Sequence, residues 1–154
     1  MNRFAWPGIR PAILLLAAGL LGLAACTAVP GSPEILDLRP VPPQPLSPAA
    51  LDRDIAAADI VLAGEVHDNP HHHAAQATIL RAAAADGRPV AVVFEMLDRD
   101  QQAAIDAYFA GGGDAAGFAD AVGWQARGWP DPALYAPLFD AMVAVGATVV
   151  AGDL

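Results

Sequence analysis

Three short apolar runs set the limits on what this chain can fold into. They are Asp59-Ile60-Val61-Leu62-Ala63, Val90-Ala91-Val92-Val93-Phe94 and Ala147-Thr148-Val149-Val150-Ala151. Each is continuous and rich in branched residues, the pattern of parallel strands buried on both faces. Parallel strands need long crossovers, and the stretches between the runs read as helices. Asn69-Pro70 is an N-cap followed by proline at the first helical position, for a helix to about Asp86 that stops at Gly87. Asp98, with Gln101 three residues on, has the form of a capping box for a helix through Phe109, which Gly111-Gly112-Gly113 breaks. Asp131-Pro132 repeats the cap-plus-proline start, and Gly146 closes the last helix. With a helix over about 48–58 in front, the order is helix, strand, helix, strand, helices, strand. The expected class is α/β, a parallel sheet flanked by helices with right-handed crossovers.

In open parallel sheets, binding sites form beyond the carboxyl ends of the strands. Here the first run leads into Gly64-Glu65-Val66-His67, the second into Glu95-Met96 and the third into Gly152-Asp153. Continued extended geometry puts Glu65 and His67 on one side, because side chains alternate along a strand. An acid at such a place commonly caps the next helix, which suits Asp98 and Asp131. Glu65 and Glu95 come directly off an apolar run, several residues before a helix starts, and are candidates for a functional cleft.

All four histidines, His67, His71, His72 and His73, lie within seven residues. On the helix after Asn69, His72 and His73 share a face with Gln76, so their imidazoles stand near Glu65, His67 and Glu95. Imidazole with carboxylate suits zinc, iron, copper or nickel. A haem pocket, with an axial His or Tyr, fits as well. His71 reads as an exposed helix-start histidine without a role. The two tyrosines, Tyr108 and Tyr135, face the core by default.

The chain contains no lysine, which excludes a P-loop phosphate lysine and a Schiff-base lysine. With a formal net charge of −9, it is no nucleic-acid binder. Hydrophobic residues make up 55%, too many for a disordered chain. Cys26 is the single cysteine, so there is neither an internal disulfide nor a cysteine zinc cage. Arg3 and Arg10 mark a positive n-region, and the apolar run Pro11 to Leu23 is too short to span a membrane. It ends in Leu23-Ala24-Ala25-Cys26, which reads as a bacterial lipobox; an ordinary secretory signal is the alternative. Residues 1–25 are then a lipoprotein signal peptide, and Cys26 is the lipidated first residue of the mature chain. Thr27, rather than aspartate, directs it to the outer membrane, facing the periplasm. Loss of the signal leaves 6 basic against 17 acidic residues, net −11. Residues 26–48 hold seven of the fourteen prolines and read as a semi-rigid tether. The domain is expected over 49–154.

Gly64-Glu65-x-His67-Asp68-Asn69-Pro70-x-His72-His73-x-x-Gln76 resembles the signature of the ChaN-like haem-binding lipoproteins. Glu95-Met96-Leu97-Asp98-Arg99-Asp100-Gln101-Gln102 resembles their second motif, and Trp129, Tyr135 and Pro137 a third. The likeness spans residues 59 to 154. It implies an α/β domain that binds haem, as a homodimer with haem between subunits, in iron acquisition. It also implies cofactor-binding roles for Glu65, His67, His72, His73, Gln76, Glu95 and Tyr135, with a tyrosine, Tyr135 before Tyr108, at the haem iron and His67 nearby as the other candidate for the metal. Tyr108 is the other tyrosine open to that role. Arg81, Arg88, Arg99 and Arg127 are the arginines open to the propionates. The function expected is binding rather than catalysis.

The wider superfamily, which takes in erythromycin-esterase-like, TraB-like and Tiki-like proteins, includes hydrolases and metalloproteases. The alternative is therefore a metal-dependent hydrolase with Glu65, His67 and Glu95 around water on zinc or another divalent ion. A lipoprotein scaffold with an idle cleft is a third reading. Two departures from the family pattern stand out. Asp153 occupies a place where the pattern has asparagine. Family members also continue well past the position of Leu154, so only the N-terminal half of the family domain is expected here.

Overall fold

A computed structural model of the chain describes residues 34–153. The described residues fall into two units, one ending at Pro45 and one beginning at Leu46. The expected signal peptide and Cys26 lie outside the described residues. In the first unit, β1 (Leu36–Asp37) and β2 (Gln44–Pro45) pair antiparallel. The Asp37 carboxylate accepts from the Arg39 backbone N–H at 2.9 Å and from its guanidinium at 2.8 Å.

The second unit runs α1 (Pro48–Ala57), α2 (Pro70–Ala83), β3 (Ala91–Asp98), α3 (Gln102–Ala110), α4 (Ala115–Ala121), α5 (Ala136–Ala144) and β4 (Thr148–Asp153). Short 3₁₀ turns at Arg99–Gln101, Trp124–Arg127 and Pro132–Tyr135 link them. The caps read from the sequence form. Asn69 Oδ1 accepts from the His71 N–H at 3.0 Å, and Asp131 Oδ1 from the Ala133 N–H at 2.9 Å. Gly146, at φ +65°, turns the chain out of α5 into β4. The fold is α/β, a small parallel sheet flanked by helices. β3 and β4 are parallel, in register from Ala91 opposite Thr148 to Phe94 opposite Ala151.

Two expectations for the sheet need correction. The run 59–63 is not a strand. Ile60 and Leu62 are 80% and 93% exposed, and no hydrogen bond joins the run to β3 among the described residues. A branched apolar run favours extended backbone, but a strand also needs a partner edge about 4.8 Å away. Here a groove of about 1220 Å³ separates the run from β3. Nor are the strands buried on both faces. Phe94, Met96 and Val149 point into the core, while Ala91, Val93 and Thr148 face outward.

The core lies between the covered sheet face and the helices. Trp124, Tyr135, Phe118, Leu97, Ile105 and Met142 are its largest fully buried side chains. Burying an aliphatic or phenyl side chain of this size stabilises by roughly 1.5–3 kcal/mol. The outer edge of β4 is covered by one side chain. Gln102 Oε1 accepts from the Ala151 N–H at 2.8 Å, and its Nε2 donates to the Val149 carbonyl at 3.1 Å. The amide thus takes the place of a neighbouring strand's peptide group.

Candidate functional site

The chain leaves the apolar run at Gly64 and turns through Val66–Asn69 into α2. This places Glu65 and His67 against the first turns of α2, and the 3₁₀ turn Pro132–Tyr135 brings Tyr135 to the same spot. Glu65 has a side chain only 8% exposed, and it receives three hydrogen bonds and one further imidazole contact. On Oε1 these are His67 Nδ1 at 2.6 Å and Tyr135 Oη at 2.7 Å. On Oε2 they are the hydrogen bond from Gln76 Nε2 at 2.8 Å and the contact with His73 Nδ1 at 3.2 Å. Burial alone raises the Glu65 carboxyl. The hydrogen bonds from His67, Tyr135 and Gln76, with the charge of His73, outweigh burial and hold it below the usual glutamate range.

Each donor is itself fixed. Gln76 Nε2 also donates to the Ala63 carbonyl at 3.1 Å, which sets the orientation of its amide. His73 is fully buried and stacks on Tyr135 at 3.7 Å between ring centroids. Its Nε2 faces the His67 carbonyl at 3.1 Å, while its Nδ1 faces Glu65 and Gln76 Oε1. All of these are polar oxygens, so both ring nitrogens of the buried imidazole lie against a partner. Tyr135 is packed edge-on against Trp124 at 4.8 Å, and the Trp124 indole N–H donates to the Pro130 carbonyl at 2.8 Å. Burial, then the hydrogen bond to Glu65 and the charges of Glu65 and Glu95, push the Tyr135 phenol far above its ordinary range. It is a donor to Glu65 and not a phenolate.

His67 differs from these. Its Nδ1–H donates to Glu65, which leaves the lone pair on Nε2. Nε2 has no hydrogen-bond partner among the described residues, and the side chain is 37% exposed. Trp129 packs edge-on against the ring at 5.1 Å. An imidazole fixed by a carboxylate on one nitrogen and open on the other is the arrangement of a metal-binding histidine.

The structure therefore brings Glu65, His67, His73, Gln76 and Tyr135 into one cluster. Glu95 is exposed on β3 and lines the groove that Glu65, His67 and Gln76 also line. His72 stands apart from the cluster. Its Nδ1 accepts from the Val66 N–H at 2.8 Å and ties the loop to α2. Tyr108 hydrogen-bonds Asp114. Arg88 donates to the Ala83 and Ile55 carbonyls, and Arg127 pairs with Asp98 and Asp100. Arg81 and Arg99 are exposed. Trp129, which the sequence offered only as part of the third motif with Tyr135 and Pro137, is placed against the His67 ring.

The donor set suits haem better than a bare ion. Among the described residues no three His, Cys, Asp or Glu side chains are placed to hold a metal ion. A porphyrin brings four nitrogens of its own and needs one or two axial ligands from the protein. A family model described as haem-binding uptake, Tiki superfamily, ChaN matches residues 51–154. No curated protein and no solved structure matches the chain.

Proposed function

From the premise that the chain belongs to the haem-binding uptake (ChaN) family of the Tiki superfamily, we propose that it binds haem through Nε2 of His67. One observation carries this reading: His67 is held by Glu65 on one nitrogen and open on the other, beside the Trp129 ring. Glu65 sets the tautomer and strengthens the ligand, as a carboxylate behind a metal-bound imidazole does. Tyr135, His73 and Gln76 position Glu65. When bound, haem would supply the iron, and His67 Nε2 would hold it beside the Trp129 ring.

The proposed setting is the outer membrane of a bacterium, facing the periplasm. The chain would be held there by acyl groups on Cys26, as a homodimer serving iron and haem acquisition. Its support is the Leu23-Ala24-Ala25-Cys26 sequence with the proline-rich stretch after it. The test is absorbance titration of the full chain with haem. The expected result is a saturable shift of the Soret band. A chain that takes up stoichiometric zinc and gives no saturable shift would overturn the reading.

A further inference from the structure

Val66 sits between Glu65 and His67, so its backbone belongs to the loop that carries both. No helix or strand supplies an acceptor for its N–H. A side chain does: His72, in the first turn of α2, accepts the Val66 N–H on Nδ1 at 2.8 Å. Backbone alone closes the rest of the turn. The Asn69 N–H donates to the Val66 carbonyl at 2.9 Å, and the His72 N–H to the Asn69 carbonyl at 3.0 Å.

A ring nitrogen accepts a hydrogen bond only through its lone pair. The Val66 contact therefore fixes the state of His72, with Nδ1 bare, the proton on Nε2 and the ring neutral. Protonation would put an N–H on Nδ1, opposite the Val66 N–H, and two donors do not stay at that distance. His67 has the opposite tautomer, since its Nδ1–H goes to Glu65. One histidine of the cluster thus offers a lone pair to the cleft, and another spends its lone pair on the loop. Asp68 in the turn and His71 and His73 on α2 are the titratable groups next to His72 along the chain. Of the elements packed against α2, α1 carries Asp52, Arg53 and Asp54, the turn before α5 carries Tyr135, and α5 carries Asp140. Among the described residues the His72 ring hydrogen-bonds the Val66 amide and none of these groups.

We infer that His72 is a positioning residue for the haem ligand, a clasp that holds the Glu65–His67 loop while its imidazole is neutral and frees it on protonation. Imidazole changes charge between about pH 5 and pH 8, so the site would hold haem at neutral pH and loosen in mild acid. What this does for iron rests on the reading of His67 as its ligand; the clasp itself belongs to the free chain.

The first arm of the test uses the full chain without haem. The Val66 amide and the His72 ring nitrogens are followed by NMR from pH 8 to pH 5, with amide exchange read in parallel. The Val66 amide should shift in step with His72, and its exchange, corrected for the intrinsic pH dependence, should rise roughly tenfold as the bond is lost. His72→Asn places an amide oxygen near the position of Nδ1 and does not titrate, so it should keep Val66 protected throughout. His72→Ala should leave Val66 unprotected at every pH. The second arm adds haem. Acid also acts on His67, so the variants decide rather than the wild-type profile. His72→Ala should weaken haem binding roughly tenfold at pH 7.5, and His72→Asn should restore it and lose less of it than the wild type at pH 5.5. A Val66 amide indifferent to His72, or a His72→Asn variant no better than His72→Ala, would overturn the clasp. A His72→Ala chain that binds haem as the wild type does would overturn its positioning role. Absence of haem binding in every form, wild type included, would overturn the haem reading and the role toward iron with it, while the Val66 response still decides whether the clasp exists.

Discussion

Tyr135 Oη donates a 2.7 Å hydrogen bond to Glu65 Oε1 across 70 residues of chain. The bond ties the last 3₁₀ turn before α5 to the loop that opens α2. Both partners are shielded, and Glu65 also accepts from His67 and Gln76 and lies against His73. Removing the carboxylate therefore strands several buried groups, whereas removing the phenol hydroxyl loses one bond. Tyr135→Phe should cost about 1 kcal/mol of stability. Glu65→Ala should cost roughly 3–5 kcal/mol, because it strands the shielded donors that the carboxylate accepts from. Urea unfolding of the two variants measures the difference; equal costs would mean that Glu65 is no hub.

The same carboxylate sets an acid limit. Its folded pKa lies below the ordinary glutamate value. A depressed acid contributes stability that is fully present above its unfolded pKa and is lost as pH falls through the folded one. Between neutral pH and about pH 5, stability should therefore change little through Glu65, and it should fall below that. Glu65→Gln should flatten this part of the profile. Chemical denaturation midpoints from pH 7 to pH 3 give the comparison.

Gln102 is predicted to matter more than a half-buried surface glutamine normally does. It makes two hydrogen bonds to β4 and a third to Asp106 at 2.8 Å. Gln102→Ala should destabilise by about 1–2 kcal/mol and expose the edge of β4 to intermolecular pairing. Gln102→Glu should be no milder, because a carboxylate cannot donate to the Val149 carbonyl. Static light scattering during thermal unfolding would register the exposed edge as earlier aggregation.

Cys26→Ser should leave the chain unprocessed or move it to the soluble fraction. A variant that is processed normally and stays with the membrane would mean that the lipid anchor is not at Cys26. Fractionation of cells expressing each form, with metabolic labelling by a fatty acid, reads both outcomes.

What could be read from the sequence was what is decided locally. Asn69 and Asp131 cap their helices because a short side chain and the next backbone N–H groups suffice. The runs 90–94 and 147–151 form parallel strands as expected, and they pair with each other. The run 59–63 has the same composition and does not pair, because pairing depends on a distant edge that composition does not locate. Glu65 and His67 stood out by their place at the end of an apolar run. That Glu65 binds Tyr135 and His73 at once could not be read, since it depends on how α2 and the turn before α5 pack. The cap that Gln102 places on β4 was hidden for the same reason: it joins a side chain to backbone 49 residues on.

The central claim is that His67 Nε2 is the protein's ligand to iron, with Glu65 behind it. The most direct measurement is the absorption and resonance Raman spectrum of the haem complex of His67→Gly, taken with and without added imidazole. The wild-type spectrum should be lost in the variant and restored by imidazole, which fills the vacated place. Glu65→Gln should keep the ligation but weaken haem affinity by roughly 10–100-fold. A His67→Gly complex with the wild-type spectrum, together with a Tyr135→Phe complex that has lost it, would contradict the claim and move the iron to Tyr135.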